Sequence, residues 1–200
     1  MTRVGLVLIG AVALAAMRPP RHVPPTSVPD GFTFVAGGDL LGPYHTLQGI
    51  DDPPFFNKVV PLFKNADVGF ANQEGSIFDL TTFQGWPAPE NGGGTPLYPP
   101  VVARDLKAMG ITMVSKANNH AIDWGDAGLI ATMHSLTAAG IVFAGSGLSE
   151  AEARAPAYLD TPKGRAAIVS TASTFPPMAA AGAPGTRRGQ PTRARPGISV

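Results

Sequence analysis

Three times in this chain a short apolar or β-branched run stops at a cluster of acids and amides. Phe32-Thr33-Phe34-Val35-Ala36 leads into Gly37-Gly38-Asp39, and Val68-Gly69-Phe70-Ala71 leads into Asn72-Gln73-Glu74. Ile111-Thr112-Met113-Val114-Ser115 leads into Lys116-Ala117-Asn118-Asn119-His120. Runs of this length and composition read as strands. Helical spacing fills the gaps between them. Phe55, Phe56, Val59, Val60 and Phe63 mark one helix, with Asp52 as its N-cap; Val101 to Met109 is a second, closed by Gly110. A third runs from Ala127 to Ala139 and ends at Gly140, and Ile141 to Ala144 is the next strand. Ser149-Glu150-Ala151-Glu152 has the pattern of a capping box opening a short helix, and Ala166 to Ser170 is a further strand. Strands alternating with helices in this way predict an α/β layered fold with largely parallel pairing. In such sheets ligands bind at the C-terminal edge of the strands, which is where all three polar clusters fall.

Composition limits what those clusters can do. The chain has no cysteine, so thiolate metal sites, iron–sulfur ligation, disulfides and a cysteine nucleophile are all excluded. Lys and Arg number 15 against 14 Asp and Glu, a balance unlike the basic excess of a nucleic-acid binder. With 24 Gly and 21 Pro among 200 residues the chain cannot be a helical bundle.

The ends of the chain read differently from its middle. Residues 1–16 have the form of a signal peptide or N-terminal anchor: Thr2-Arg3, an uncharged run from Val4 to Ala16, and small-x-small cleavage patterns at Ala11-Val12-Ala13 and Ala13-Leu14-Ala15. Export is therefore expected, to an extracytoplasmic site at the cell envelope. Residues 17–30, with five prolines, read as a linker. The domain proper is expected over 31–177. Residues 178–200, with Arg187, Arg188, Arg193 and Arg195 and no acid, read as a disordered basic tail.

The three clusters offer hard-ligand chemistry. Asp39 and Glu74 supply anionic oxygens and Asn119 a neutral carbonyl oxygen, a set suited to Mg, Mn, Ca, Fe or Zn. His120 can reach substrate and protonate a leaving oxygen, while Asp123, three residues on, can hold its second ring nitrogen and fix the tautomer. Each residue alone has an ordinary explanation: a turn cap for Asp39, a solvated Glu74, a turn-forming Asn pair, a structural His120. It is their joint placement at three strand ends that points to a site. Lys116 and Arg154 are cations near this rim, and Lys116 is a candidate substrate contact.

The segments Val35-Ala36-Gly37-Gly38-Asp39-Leu40-Leu41-Gly42, Ala66 to Glu74 and Ala117-Asn118-Asn119-His120-Ala121-Ile122-Asp123-Trp124-Gly125 resemble successive signatures of the CapA family. Gly145-Ser146-Gly147 and Ala151-Glu152-Ala153-Arg154-Ala155-Pro156 extend the similarity, which covers roughly Phe32 to Thr174. The resemblance implies a capsule and poly-γ-glutamate biosynthesis protein with a layered α-β-β-α, calcineurin-like metallophosphoesterase sandwich. It implies a divalent metal (Mn, Fe, Zn or Mg), binuclear in the full-length form of such proteins. Asp39, Glu74 and Asn119, with Asn72, then look like metal ligands, and His120 like the neighbouring catalytic histidine. Leu41 stands where general metallophosphoesterases carry a histidine; His45, in the following loop, is a candidate substitute or substrate contact. Family members continue past the length of this chain, with further histidines on later strand ends, so the fold is expected to be incomplete here. His134, inside a predicted helix, reads as packing or surface.

The functional expectations are three. The first is an exported hydrolase of an ester or amide bond, acting on an anionic polymer such as poly-γ-glutamate or on a small ester. The second is a non-catalytic polymer-binding or export partner in a capsule-synthesis membrane complex. The third is an inactive truncated fragment.

Overall fold

The computed structural model describes residues 29–41, 53–88, 95–187 and 190–200. The expected export segment 1–16, most of the linker, Asp52 and His45 lie outside the described residues. The elements in chain order are β1 (Phe34–Asp39), α1 (Pro53–Lys64), β2 (Val68–Asn72), β3 (Ser76–Ile77), β4 (Leu97–Tyr98) and α2 (Val101–Ala108). There follow β5 (Met113–Ser115), α3 (Gly125–Ala138), β6 (Val142–Ala144), β7 (Ser146–Gly147) and α4 (Glu150–Arg154). The chain closes with β8 (Ala157–Thr161), β9 (Gly164–Ile168), a 3-10 turn (Pro177–Ala179), β10 (Gly185–Arg187), β11 (Gln190–Thr192) and β12 (Gly197–Ile198).

The central sheet has the order β1-β2-β5-β6, and every pairing in it is parallel. This is the mixed α/β architecture expected from the alternating sequence pattern, compatible with the layered metallophosphoesterase-like class. The pleat then sorts residues by parity. Ala71, Val114 and Phe143 share one register row and face a core built with Val102, Ala103 and Leu106 of α2, Leu136 of α3 and Phe63 of α1. The next row along the strands is Asp39, Asn72, Ser115 and Ala144, on the opposite face at the C-terminal edge. The sequence alternation that builds the core thus turns a polar row the other way.

Three expectations change. The stretch 85–100, rich in Gly and Pro, reads from its sequence as too polar and broken to be core, yet Leu97–Tyr98 is a strand and Tyr98 is buried. β4 pairs with β3, whose Ile77 is held on both sides by α3 hydroxyls: Thr132 Oγ1 accepts from Ile77 N (2.9 Å) and Ser135 Oγ donates to Ile77 O (2.8 Å). Second, β9 belongs to a hairpin with β8, a strand that the sequence pattern does not announce. Third, the described residues of 178–200 are not disordered. β12 pairs antiparallel with β7, and Ile198 and Ala179 are buried against Ala117, Ala121, Ile122 and Leu129. Two apolar side chains in a polar stretch suffice because the strand pairing supplies the rest.

The capping-box reading of α4 meets a variant of itself. Ser149 Oγ accepts from Glu152 N (3.2 Å), but Glu152 Oε2 accepts from Leu148 N (2.9 Å), one residue before the cap. No helix among the described residues is long and apolar enough to cross a membrane.

Candidate functional site

Two chains of polar contacts meet at the C-terminal edge of the sheet. The first starts at Asp39, the last residue of β1 and exposed to solvent. Asn72 Nδ2 donates to Asp39 Oδ1 (2.8 Å), as the Asp39–Asn72 register allows. Asn118 Nδ2 in turn donates to Asn72 Oδ1 (3.1 Å) and to Gln73 O (2.9 Å). Asn118 Oδ1 accepts from His120 N (3.2 Å), which fixes the turn that presents the imidazole.

The second chain runs through that imidazole. Asp123 Oδ2 lies 2.7 Å from His120 Nδ1, and Asp123 is buried. A carboxylate at this position selects the tautomer with the proton on Nδ1 and leaves Nε2 facing outward. Nε2 is 3.8 Å from Glu74 Oε1. Glu74 closes the circuit, because its carboxyl acts directly on that of Asp39. Asp39, Asn72, Glu74, Asn118, His120 and Asp123 therefore form one constellation drawn from three strand ends.

The electrostatics of this edge are unrelieved. Burial, first, and the neighbouring Asp39 carboxylate, second, push the Glu74 carboxyl above its ordinary value. Glu74 Oε2 is buried with no hydrogen-bond partner among the described residues. Burial also raises Asp123, against the lowering effect of its hydrogen bond to His120. Lys116 has no solvent exposure, and burial brings its ammonium down to about 7, opposed by Asp123 and Glu74. The expectation of a substrate contact at Lys116 meets a side chain turned inward. Its Nζ donates to Glu74 O (3.2 Å) and Gly75 O (3.4 Å).

Asn119, the amide expected to ligate, is half-buried between Asn118 and His120. The side chain that knits the strand ends together is its neighbour Asn118, which sequence reasoning did not single out. Two adjacent asparagines are alike in type, and which one turns inward depends on turn dihedrals that spacing does not carry. Ser115, next to Asn72 in the edge row, shares a hydrogen bond with Ser170 across 2.6 Å, also unforeseen. His134 is exposed on α3, in line with its packing-or-surface reading. A separate cavity of about 560 Å³, lined by Phe78, Leu80, Leu97, Pro99, Val101 and Arg104 among others, contains none of the constellation.

The donors present suit a hard cation in part. Two like-charged carboxyls face each other, one with an unpartnered buried oxygen, and a cation would relieve both conditions. Yet among the described residues no group of three or more His, Cys, Asp or Glu is placed to hold a metal ion. Asp39, Glu74 and the amides of Asn72 and Asn119 are a partial set, to which further ligands would have to be added.

The family described as bacterial capsule synthesis protein PGA_cap matches residues 14–198 of the chain. The uncharacterized proteins y4sH and y4uA of Sinorhizobium fredii (strain NBRC 101917 / NGR234) are each 41% identical to it over 175 residues. Those residues are 88% of this chain and 37% of either relative, so the chain spans a little over a third of their length.

Proposed function

The chain belongs to the bacterial capsule synthesis protein family PGA_cap, and from that premise we propose that it is an exported poly-γ-glutamate and capsule biosynthesis protein whose Asp39–Glu74–His120 edge is a hydrolytic centre. A divalent cation (Mn, Fe, Zn or Mg) would be held by Asp39 and Glu74, with Asn72 and Asn119 as neutral oxygen donors. When bound, such a cation supplies Lewis acidity toward an ester or amide oxygen. The remaining work falls to the chain's own residues. Asp123 holds the His120 Nδ1 proton, so Nε2, when protonated, can deliver its proton to the leaving oxygen. Asn118 keeps that ring in place through the His120 backbone N–H. The substrate is an anionic envelope polymer such as poly-γ-glutamate or a small ester, met in a capsule-synthesis complex at the membrane.

The observation that carries this reading is Glu74. A buried carboxyl oxygen without a partner, pressed against a second carboxyl, costs stability and has no structural benefit of its own. A second reading, binding of polymer without turnover, is favoured by the partial ligand set: two carboxyls and a histidine already engaged with Asp123.

The test is thermal unfolding with and without millimolar Mn²⁺, together with hydrolysis of aryl phosphate esters and of poly-γ-glutamate. The hydrolytic reading expects Mn²⁺ to raise the melting temperature of the wild type but not of Glu74→Gln, and turnover to vanish in His120→Ala. Polymer binding with no Mn²⁺ effect and no turnover establishes the second reading instead. A protein that neither responds to Mn²⁺ nor binds polymer refutes both.

A further inference from the structure

Lys116 is the largest side chain in the described structure with essentially no solvent exposure, and it lies beneath the constellation without belonging to it. Its surroundings are unusual for a lysine. The two groups within hydrogen-bond distance of Nζ are both backbone carbonyls, those of Glu74 (3.2 Å) and Gly75 (3.4 Å). Asn118, two residues along, takes the carbonyl of Gln73 (2.9 Å). Three successive carbonyls, 73, 74 and 75, thus converge on side chains of one short segment, 116–118. Gln73 Nε2 adds a fourth hydrogen bond to these carbonyls, from within the loop, to Gly75 O (3.0 Å). Consecutive carbonyls turned to one side make a cation cradle. Here the occupant is the protein's own ammonium.

The same loop carries Glu74, and little else fixes where that side chain points. Oε2 has no hydrogen-bond partner among the described residues, Oε1 is 3.8 Å from His120, and the carboxyl lies against that of Asp39, which favours its neutral form, while His120 and Lys116 favour its charged form. A side chain with opposing neighbours and one oxygen unpartnered keeps its direction best if the backbone beneath it is held. The carbonyls of two successive peptides, those of Glu74 and Gly75, are what Lys116 holds. A bulky apolar residue would fill the same space at lower desolvation cost, so packing alone does not account for a lysine here.

We propose that Lys116 is a positioning residue: a built-in hydrogen-bond donor that clamps the 73–75 backbone so that the Glu74 carboxylate faces Asp39 and His120. The value of that direction rests on the reading of Asp39 and Glu74 as cation ligands; the clamp itself does not. Lys116 touches neither substrate nor metal and acts through Glu74.

The experiment compares wild type with Lys116→Met, which fills the space without the charge, by amide hydrogen exchange, melting temperature and Mn²⁺ titration. Exchange at Gly75 and Ser76 should quicken at least tenfold in Lys116→Met while the core strands β2 and β5 keep their protection. Mn²⁺ affinity should fall at least tenfold, with the melting temperature unchanged or raised. A residue that merely fills space would shift the melting temperature and spare both other readouts. Unchanged exchange in the 73–76 loop overturns the clamp. Quickened exchange with unchanged Mn²⁺ affinity overturns the positioning role. If the wild type binds no Mn²⁺, the metal reading fails by itself, and the exchange result still decides the clamp. Should Lys116→Met not fold, Lys116→Gln, uncharged but still a donor, takes its place: intermediate exchange supports the clamp, and wild-type exchange overturns it.

Discussion

Replacing Asn118 by alanine removes three hydrogen bonds at one stroke and leaves their partners stranded in a buried turn. The amide donates to Asn72 Oδ1 and Gln73 O and accepts from His120 N, and Asn118 is itself buried. Each such bond contributes about 1 kcal/mol net, and the orphaned Gln73 carbonyl adds to the loss where water cannot reach it. Asn118→Ala should therefore cost about 2–4 kcal/mol. For a chain of this size that is a fall in melting temperature of roughly 4–16 °C, at about 2–4 °C per kcal/mol. Asn118→Asp is the sharper probe. It keeps the acceptor for His120 N but turns the donating nitrogen into an oxygen facing two acceptors, and adds charge beside Asp39 and Glu74. At pH 7 it should be less stable than the alanine variant, and the gap should narrow as the pH falls and the new carboxyl takes up a proton. Urea unfolding of both variants, with Ser173→Ala at an exposed site as reference, gives the numbers. If Asn118→Ala lies within about 0.5 kcal/mol of wild type, or if Asn118→Asp is the more stable of the two at pH 7, the turn is not held in the way described.

Two further outcomes follow from the same region. Native Glu74 and Asp123 bind protons more tightly than the unfolded chain, so their contribution is fully present below their ordinary values of 4.5 and 3.8 and is lost as the pH rises through their elevated ones. Lys116, lowered to about 7, behaves oppositely: between about 7 and its ordinary range the unfolded chain holds the proton more tightly, and stability grows with pH. Calorimetry across pH 4–9 should show the metal-free protein losing stability as these carboxyls ionise and regaining it above about 7, and Lys116→Met should lose the alkaline rise; a rise that persists in that variant would assign it to another group. Gly145 has φ +94°, and a Cβ there would sit 2.6 Å from Ala117 Cβ and 2.7 Å from Ser170 Oγ. Gly145→Ala should cost roughly 3 kcal/mol or more from combined backbone and packing strain, read as a lowered urea midpoint, whereas a neutral result would mean that the 144–146 turn relaxes freely.

Legibility in the sequence followed the range of the interactions involved. β1, β2, β5 and β6 could be read because each is a local run of β-branched or aromatic residues closed by a polar break. The edge row Asp39–Asn72–Ser115 was half visible: the strand ends could be located, but its alignment is a matter of register between strands. Tyr98 was hidden by its setting, since proline and glycine dominate 85–100 and the pairing that buries it is with β3. β8 has the right alternation, half-buried and exposed by turns, but its mixed side chains give no apolar face to notice. Ile198 was lost for the same reason as Tyr98, because one isoleucine in a basic stretch acquires a place only through β7. At the site, residue types pointed to Asp39, Glu74 and His120. The inward turn of Asn118 and Lys116 depended on dihedrals and depth.

The shifted groups of this protein fall into two kinds, and the division bears on function without appeal to kinship. Asp79 and Arg165 are exposed and Asp67 is half-buried, and each is moved toward its charged form by a partner: Thr33 and Lys163 for Asp67, Thr81 for Asp79, Asp160 for Arg165. Those shifts are the signature of groups satisfied by a partner. Glu74, Lys116 and Asp123 are moved the other way, toward neutrality, with burial as the largest cause in every case. Asp126, in the first turn of α3 and only three residues past Asp123, shares their direction. Selection for stability alone would replace such groups with apolar ones of similar volume. Tyr98 of β4 is also raised by burial, but Glu74, Lys116 and Asp123 stand together in two loops at one edge of one sheet, so much of the cost falls where Asp39 and His120 already stand. A fold carries a local deficit of this kind when an added charge, from a cation or a substrate, converts it into binding energy.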